Sequence, residues 1–175
     1  DLAAINPDFV GWVSIADTIV DYPVMYSPSE PQRYLHRDFD THHSVTGIPF
    51  LDARCDPASL TENKILYAHN MRSGQMFAQL ISYLEPEFLK THPTIGFDTL
   101  TRKGDYSVFA VLQINLANMD DPSMQCYRLF DTSEQQDVDA LNAYTLEYAV
   151  IRTGEVQQYD HIISLSTCQH LGSID

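Results

Sequence analysis

The chain has 175 residues, of which 44% are hydrophobic, and its 24 acidic and 10 basic residues give a formal net charge of -14. This composition predicts one globular domain and excludes a disordered tail. The acidic surface repels phosphate backbones, which argues against nucleic-acid binding. No apolar run reaches the roughly 20 residues of a membrane-spanning helix. Because the chain opens with "DLAAINPDF" and no Met, we expect that an N-terminal anchor has been removed.

The first half of the chain is predicted to be mostly extended. A short helix leads into a strand near Trp12, and a second strand follows in which Pro23 indicates a sheet edge or a bulge. Ser29 and Pro31 then have the chemistry of a helix start. Two further extended segments follow, "VTGIPFLDA" and "NKILYAHNM", and the second of them ends at the polar His69.

The second half of the chain combines helices with strands. "GQMFAQLISYLEPEFLKTH" predicts an amphipathic helix, and Pro86 is expected to begin a second, shorter one. "TIGFDTLTRKGDYSVFAVLQINL" predicts a β-hairpin. "DTSEQQDVDALNAYTLEYAVIRTG" predicts a helix with a Ser133–Gln136 capping box that ends at Gly154. Strands dominate without βαβ alternation, so the predicted fold class is mainly β, a barrel or sandwich with inserted helices.

Three cysteines occur, Cys55, Cys126 and Cys168, and none forms a Cys-x-x-Cys pair. A zinc ribbon or a thioredoxin-type site therefore has no support. We expect Cys55, in the turn "ARCDP", and Cys126, at the start of the presumed strand "CYRLF", to be structural and unbridged. Cys168 differs because it ends the strand "HIISLSTC", just before polar residues.

His69 ends the strand "KILYA" as Cys168 ends "IISLST". Two strands of one sheet bring such ends within hydrogen-bond reach, which is the arrangement that a catalytic Cys-His pair needs. A solvated histidine and a buried structural cysteine fit the same residues, so the pattern alone leaves both interpretations open. The neighbouring pair His42-His43 lacks a third ligand at a suitable spacing, so no metal site is predicted.

Several motifs, in order along the chain, resemble class B sortases. "NPDFVGWVSIADTIVDYPVM" is similar to the amino-terminal segment of that family, and "YLHRDFD" followed by "GIPFLD" resembles its next two motifs. "ILYAHNMRSGQMF" resembles the family's histidine segment, and "ISLSTC" resembles its cysteine strand. The resemblance extends from about Asn6 to Cys168. It implies a closed sortase-type β-barrel with an N-terminal helix and inserted helices, formed by residues 1–175 as a single catalytic domain.

The resemblance also implies an activity. Sortases are cysteine transpeptidases on the outer face of the Gram-positive cell membrane, and they use no cofactor. By this resemblance Cys168 attacks the Thr carbonyl of an Asn-Pro-x-Thr-like sorting motif in a secreted protein, and an amine of peptidoglycan or of a pilin accepts the acyl group. His69 would transfer the proton. Ser166 and Thr167 would contact the motif, and Leu35 would line the groove for its Pro.

One part of the family pattern is not found. The family has an Arg about ten residues after the cysteine, on a last strand, whereas this chain ends seven residues after Cys168, in "QHLGSID". We therefore expect the C-terminal strand to be missing and assign no Arg. Two other functions remain open on the sequence: a cysteine hydrolase, and a domain that binds sorting-motif peptides without turning them over.

Overall fold

The computed structural model of the chain describes residues 2–115 and 122–167. Within these residues there are nine strands and three α-helices, together with three short 3₁₀ helices. The strands are β1 (Phe9–Ser14), β2 (Asp21–Met25), β3 (Phe50–Leu51), β4 (Lys64–Tyr67), β5 (Thr94–Thr99), β6 (Asp105–Ser107), β7 (Ala110–Leu112), β8 (Ala149–Arg152) and β9 (Ile163–Ser166). The α-helices are α1 (Leu2–Ile5), α2 (Pro86–Thr91) and α3 (Gln135–Tyr148), and the 3₁₀ helices are Arg33–Leu35, Ala78–Leu84 and Pro122–Tyr127.

Seven of the strands form one sheet in the order β6-β5-β1-β2-β3-β4-β9, while β7 and β8 pair separately. The sheet curls into a nearly closed barrel, which confirms the predicted mainly β fold class with a few helices. Most neighbours are antiparallel, but β2 with β3 and β4 with β9 are parallel. The β4–β9 pair is the one that matters for function, because parallel strands end on the same edge of a sheet.

The core of the barrel is formed by inward-facing apolar side chains from several strands. Val13, Val24 and Leu66 are fully buried, and Phe97 is nearly so. Along β1, buried and half-buried residues alternate, as expected of a strand with one face on a core. Gly11 is required there, because a Cβ at this position would lie 2.4 Å from the main-chain oxygen of Asp98 on β5.

The predicted hairpin is confirmed in its first part. β5 and β6 pair around "RKGD", but the second half breaks after Ser107 and β7 joins β8 instead. The prediction of a sheet edge or a bulge at Pro23 is wrong, because β2 lies between β1 and β3 and the register shift of the β1–β2 pair falls between Phe9 and Gly11. Pro23 is tolerated because β2 pairs with β3 only at Met25, so its missing N–H leaves no gap in that ladder.

The helix boundaries differ from the predictions. The amphipathic segment is a 3₁₀ helix, Ala78–Leu84, and Pro86 then begins α2 as predicted. Neither predicted cap forms: Ser29 lies in a turn before the 3₁₀ helix Arg33–Leu35, which has no side-chain cap, and the capping box Ser133–Gln136 is absent. Ser133 instead donates to the Asp131 carboxylate at 2.8 Å, because Asx-type local bonds compete with helix caps.

The C-terminal end of α3 is also earlier than predicted. The helix stops at Tyr148, and residues 149–152 turn extended to pair with β7, so Gly154 does not end it. Val150 and Ile151 are β-branched, and β7 is available as a partner strand. Pairing with β7 is therefore more favourable for these residues than extending α3. Val138, Leu141 and Tyr144 form the buried face of α3.

Candidate active site

The site begins with the parallel pairing of β4 and β9. Tyr67 lies opposite Ser166 in the register, and the Ala68 N–H donates to the Ser166 carbonyl at 3.3 Å. One residue further on, the Thr167 hydroxyl donates to the Ala68 carbonyl at 2.9 Å. The predicted approach of these two strand ends is therefore present as far as Thr167. Cys168 lies outside the described residues, so its distance from His69 stays a prediction.

His69 is half-buried directly after these contacts. Its Nε2 atom lies 2.9 Å from the Leu35 carbonyl oxygen. A carbonyl oxygen only accepts, so Nε2 carries the proton in this contact and the neutral ring keeps its lone pair on Nδ1. The ring of the exposed His36 lies 5.6 Å away, centroid to centroid. The Phe77 N–H binds the His69 carbonyl at 2.9 Å, so both the ring and the main chain of His69 are oriented.

The Leu35 carbonyl is itself held in place by its surroundings. Gly47 has a φ of 56°, in the left-handed region that favours glycine, and a Cβ there would lie 2.4 Å from the Leu35 oxygen. The Ile48 N–H binds the Tyr34 carbonyl at 3.0 Å. The Leu35 side chain, predicted to line a peptide groove, is half-buried against the cluster that contains Tyr34 and Phe50. The family motif points to this side chain, whereas the sequence carries no signal for the carbonyl.

A second polar group lies beside β4 and was also missed. The Asp52 carboxylate accepts hydrogen bonds from the main-chain N–H of Arg54, from its Nε and Nη2, and from the Tyr67 hydroxyl, at 2.7–2.9 Å. Burial alone raises the pKa of Asp52, but the bonds from Arg54 and Tyr67 outweigh it, so the pKa lies below its usual value. Burial, and then the bond to Asp52, raise the pKa of Tyr67, which keeps its proton.

The 3₁₀ helix Pro122–Tyr127 packs next to this group. The Tyr127 ring stacks on the Tyr67 ring at 6.2 Å between centroids and 25° between planes. Arg54 Nη2 donates to the Tyr127 carbonyl at 2.9 Å, and the Tyr144 hydroxyl donates to the Ser123 carbonyl at 2.5 Å. The helix is thus attached to the barrel near β4 and to α3.

A cavity of about 690 Å³ is lined by residues of β4–β7, β9 and α3 and by the 3₁₀ helices Ala78–Leu84 and Pro122–Tyr127. Ser166 and Thr167 line it from β9, and Cys126 and Tyr127 line it from the second of these 3₁₀ helices. The predicted strand "CYRLF" is therefore wrong at its start, because Cys126 lies in the 3₁₀ helix. The cavity adjoins the end of the strand that leads to Cys168, so a bound molecule there would lie beside that residue's chain neighbours.

The other two cysteines are poor nucleophiles. Both are free thiols, which confirms that they are unbridged. Burial raises the pKa of Cys126 to about 11 and raises the pKa of Cys55 as well. At neutral pH both thiols are therefore protonated, and a thiol attacks only as the thiolate. Cys168 is the one cysteine that these pKa shifts do not rule out.

No cluster of three His, Cys, Asp or Glu side chains able to hold a metal ion occurs within residues 2–115 and 122–167. In the same part of the chain, no helix has the length and hydrophobicity needed to cross a bilayer. Arg152, the last Arg before Cys168, contacts Glu155 and Thr145 and does not reach β4 or β9 through any bond described there.

The chain is similar to known sortases. It is 33% identical over 169 residues to sortase B of Listeria monocytogenes serovar 1/2a and 31% identical over 169 residues to sortase B of Staphylococcus aureus, matching 96% of this chain in both cases. A Staphylococcus aureus sortase B–substrate complex is 31% identical and superposes with a TM-score of 0.83, covering 99% of this chain and 77% of that chain. No protein-family model matches the chain.

The chain belongs to the sortase B family. The resemblance that the motifs indicated is thereby confirmed at the level of the family and of the fold. The chain spans 65% and 66% of the length of the two curated relatives.

Proposed function

We propose that this sortase B relative is a cysteine transpeptidase in which Cys168 is the nucleophile and His69 transfers the proton. The observation that carries the proposal is the parallel pairing of β4 with β9, which joins Ala68 to Thr167 by a hydrogen bond of 2.9 Å. In the sequence, Cys168 directly follows Thr167 as His69 directly follows Ala68. The family membership and the raised pKa of both other cysteines support the same assignment.

The reaction has two halves. The Cys168 thiolate attacks the Thr carbonyl carbon of an Asn-Pro-x-Thr-like motif, a C–S bond forms, the scissile C–N bond breaks, and the leaving amine takes a proton from the His69 imidazolium. An acceptor amine then attacks the thioester and gives a proton to His69 as the C–S bond breaks. One amide replaces another, so the reaction needs no cofactor. Main-chain N–H groups next to Cys168 would receive the oxyanion.

The orientation of His69 supports this role. Its Nε2–H donates to the Leu35 carbonyl, which leaves Nδ1 as the nitrogen that exchanges protons in the neutral ring. A fixed tautomer and a fixed ring plane are what a general acid and base requires, because proton transfer depends on geometry before it depends on pKa. The Leu35 carbonyl therefore orients the ring in the way that a carboxylate or an amide does in other Cys-His sites.

The peptide subsites are assigned from the family resemblance. Ser166 and Thr167, which line the cavity, would contact the motif just before the nucleophile, and the Leu35 side chain would line the groove for its Pro. We assign no Arg to the oxyanion. The substrate complex of the Staphylococcus aureus relative supports a peptide partner for this chain.

The biological setting is proposed from the family. The natural protein would act on the outer face of a Gram-positive cell membrane, anchored by an N-terminal segment. Its substrate would be a secreted protein with the sorting motif, and its acceptor an amine of peptidoglycan or of a pilin. The net charge of -14 suits a partner that presents amines.

The test is incubation of an Asn-Pro-x-Thr peptide with the protein, with and without a glycine-based or diamino-acid amine. Mass spectrometry should show a thioester on Cys168 and an amine-linked product, and both should disappear in Cys168→Ala. Hydrolysis in both tubes, with no amine-linked product, would indicate a cysteine hydrolase. Peptide binding without any thioester would indicate a binding domain. A thioester on another cysteine would overturn the assignment.

A further inference from the structure

Asp52 and Arg54 form an ion pair that makes more hydrogen bonds than a typical surface ion pair. The Asp52 side chain is 10% exposed and accepts four hydrogen bonds, three from Arg54 and one from Tyr67. Arg54 approaches through both Nε and Nη2, the two-pronged contact that a guanidinium makes with a carboxylate. This side-chain and main-chain arrangement fixes the guanidinium plane at the end of β3.

The same guanidinium reaches a segment far away in the sequence. Arg54 Nη2 also donates to the Tyr127 carbonyl at 2.9 Å, across 73 residues. On the other side of the carboxylate, Asp52 fixes the Tyr67 hydroxyl, and the Tyr67 ring stacks on the Tyr127 ring. The Asp52–Arg54 pair therefore binds the main chain of Tyr127 and orients the ring against which Tyr127 packs.

The position of this connection relates it to the proposed site. Tyr67 is two residues before His69 and lies opposite Ser166 in the β4–β9 register. Tyr127, Ser166 and Thr167 all line the same cavity. The Arg54 bond and the ring contact with Tyr67 therefore hold one of the residues of the cavity wall next to β4.

The pair is only partly buried, since the Asp52 side chain is 10% exposed and the Arg54 side chain is 56% exposed. Water screens the exposed guanidinium, so the attraction between the two charges adds little to stability by itself. The pair instead fixes the relative positions of Arg54, Tyr67 and Tyr127, because one arrangement of these residues makes all of the hydrogen bonds.

We propose that Asp52 and Arg54 are positioning residues that hold the 3₁₀ helix Pro122–Tyr127 against Tyr67, and so shape the wall on which the peptide substrate binds beside Cys168. This inference rests on the proposed function. The pair acts on peptide binding and not on the chemical step, because it contacts the wall and neither His69 nor Thr167 in any described bond.

The test compares Arg54→Gln and Arg54→Lys with a matched control, Arg128→Gln. Arg128 is also beside the Pro122–Tyr127 helix, is 47% exposed against 56% for Arg54, and pairs with Asp137 without contacting Tyr67. For Arg54→Gln we expect KM for the peptide to rise about tenfold while kcat changes less than about twofold. Arg54→Lys should be intermediate, because lysine keeps the charge and loses the two-pronged contact.

Two measurements separate positioning from a general loss of stability. Alkylation of Cys168 by iodoacetamide needs no peptide, so its rate should stay unchanged in Arg54→Gln. Backbone hydrogen exchange in residues 122–127 should become faster in Arg54→Gln and stay unchanged in Arg128→Gln. A parallel fall in kcat and in alkylation rate would place Arg54 in the chemistry and overturn the proposal. An equal KM effect in Arg128→Gln would also overturn it.

Different results refute the proposed function and the positioning role of Asp52 and Arg54. If the unsubstituted protein shows no turnover, peptide affinity of Cys168→Ala is measured with and without Arg54→Gln, and an affinity about tenfold weaker with the second substitution supports the positioning role. If the peptide neither binds nor reacts, the proposed function is refuted. Hydrogen exchange in residues 122–127 then becomes the test of whether Arg54 holds the helix. Exchange in residues 122–127 that does not change in Arg54→Gln then overturns the positioning role.

Discussion

The Thr167 hydroxyl donates a hydrogen bond to the Ala68 carbonyl at 2.9 Å, across 99 residues of sequence. Each of these residues immediately precedes one member of the proposed Cys168–His69 pair. The bond extends the β4–β9 ladder by a side-chain contact where main-chain pairing ends at Ser166. It therefore sets the separation of the two strand ends just before the proposed nucleophile and its base.

Thr167→Val tests this bond, because valine keeps the β-branched shape and removes the hydroxyl. We expect a loss of about 1 kcal/mol in the free energy of unfolding and a larger relative loss in the rate of thioester formation. Stopped-flow acylation and denaturant unfolding measure the two effects. Thr18→Val is the matched control, since its hydroxyl also donates to a carbonyl, that of Ile15 at 2.8 Å, and neither residue lines the cavity. Equal acylation losses in both variants would contradict the prediction.

Cys168→Ala should abolish transpeptidation, and His69→Ala should be nearly as damaging because the leaving amine then departs without its proton donor. Both variants should unfold within about 1 kcal/mol of the unsubstituted protein. Cys55→Ala, which removes a buried thiol that contacts the Asn63 carbonyl, is the control and should keep its activity. Chromatography of the reaction products measures transpeptidation in each variant. Residual turnover in Cys168→Ala would refute the assignment of Cys168 as the nucleophile.

Gly47→Ala should disturb His69 through Leu35. The new Cβ would lie 2.4 Å from the Leu35 oxygen, and the φ of 56° adds backbone strain. We expect a loss of about 1–3 kcal/mol in stability and a fall in kcat. Gly74→Ala is the control: its φ of 84° is also left-handed, but no atom lies within 4 Å of the added Cβ. Thermal unfolding and peptide turnover compare the two, and a kcat loss of the same size in Gly74→Ala would show that Leu35 is not involved.

Thiol titration at pH 8 should separate the cysteines. Because burial raises the pKa of Cys55 and raises that of Cys126 to about 11, both should react slowly with a chromogenic disulfide in the folded protein. Unfolding the unreduced protein should expose three free thiols, including Cys168. A count of one would show that a disulfide is present in solution.

Asp52 should make stability depend on pH in the acidic range. The pKa of Asp52 in the folded protein lies below its unfolded value, so the folded state binds fewer protons than the unfolded state as pH falls. Its contribution is complete above the unfolded pKa of about 4 and is lost as pH falls through the folded value. Asp52→Asn should cost about 1–3 kcal/mol at pH 7 and much less at pH 3. Urea unfolding at both values checks this, and a cost that does not depend on pH would contradict it.

Strand positions and the fold class were predictable because they depend on local patterns. The β-branched and aromatic residues of "FVGWVS" and the apolar run in "KILY" indicate strands whatever their partners, and the turn residues "RKGD" indicate the hairpin. Helix details were less predictable. Ser133 binds the nearby Asp131 carboxylate instead of capping a helix, and the end of α3 depends on whether β7 is available as a partner.

The candidate site divides in the same way. Sequence position at strand ends indicated His69 and Cys168, since a polar residue after a buried run is a local signal. The Leu35 carbonyl and the Asp52–Arg54–Tyr67–Tyr127 contacts had no such signal, because a main-chain acceptor has no residue type and these bonds join segments 34 and 73 residues apart. A pattern search for "Asp-x-Arg" after a short strand would have found Asp52 and Arg54, but not what they bind.

The sequence by itself determined where most strands of the barrel lie, and that a histidine and a cysteine follow two of them. Side-chain alternation specifies the face that a strand buries and is the same for every partner of that strand. Only the tertiary structure decided that β4 pairs with β9, in parallel and with Tyr67 opposite Ser166. Parallel pairing is non-local, since the chain must close a loop of about a hundred residues before any bond in it forms, and the whole barrel selects it.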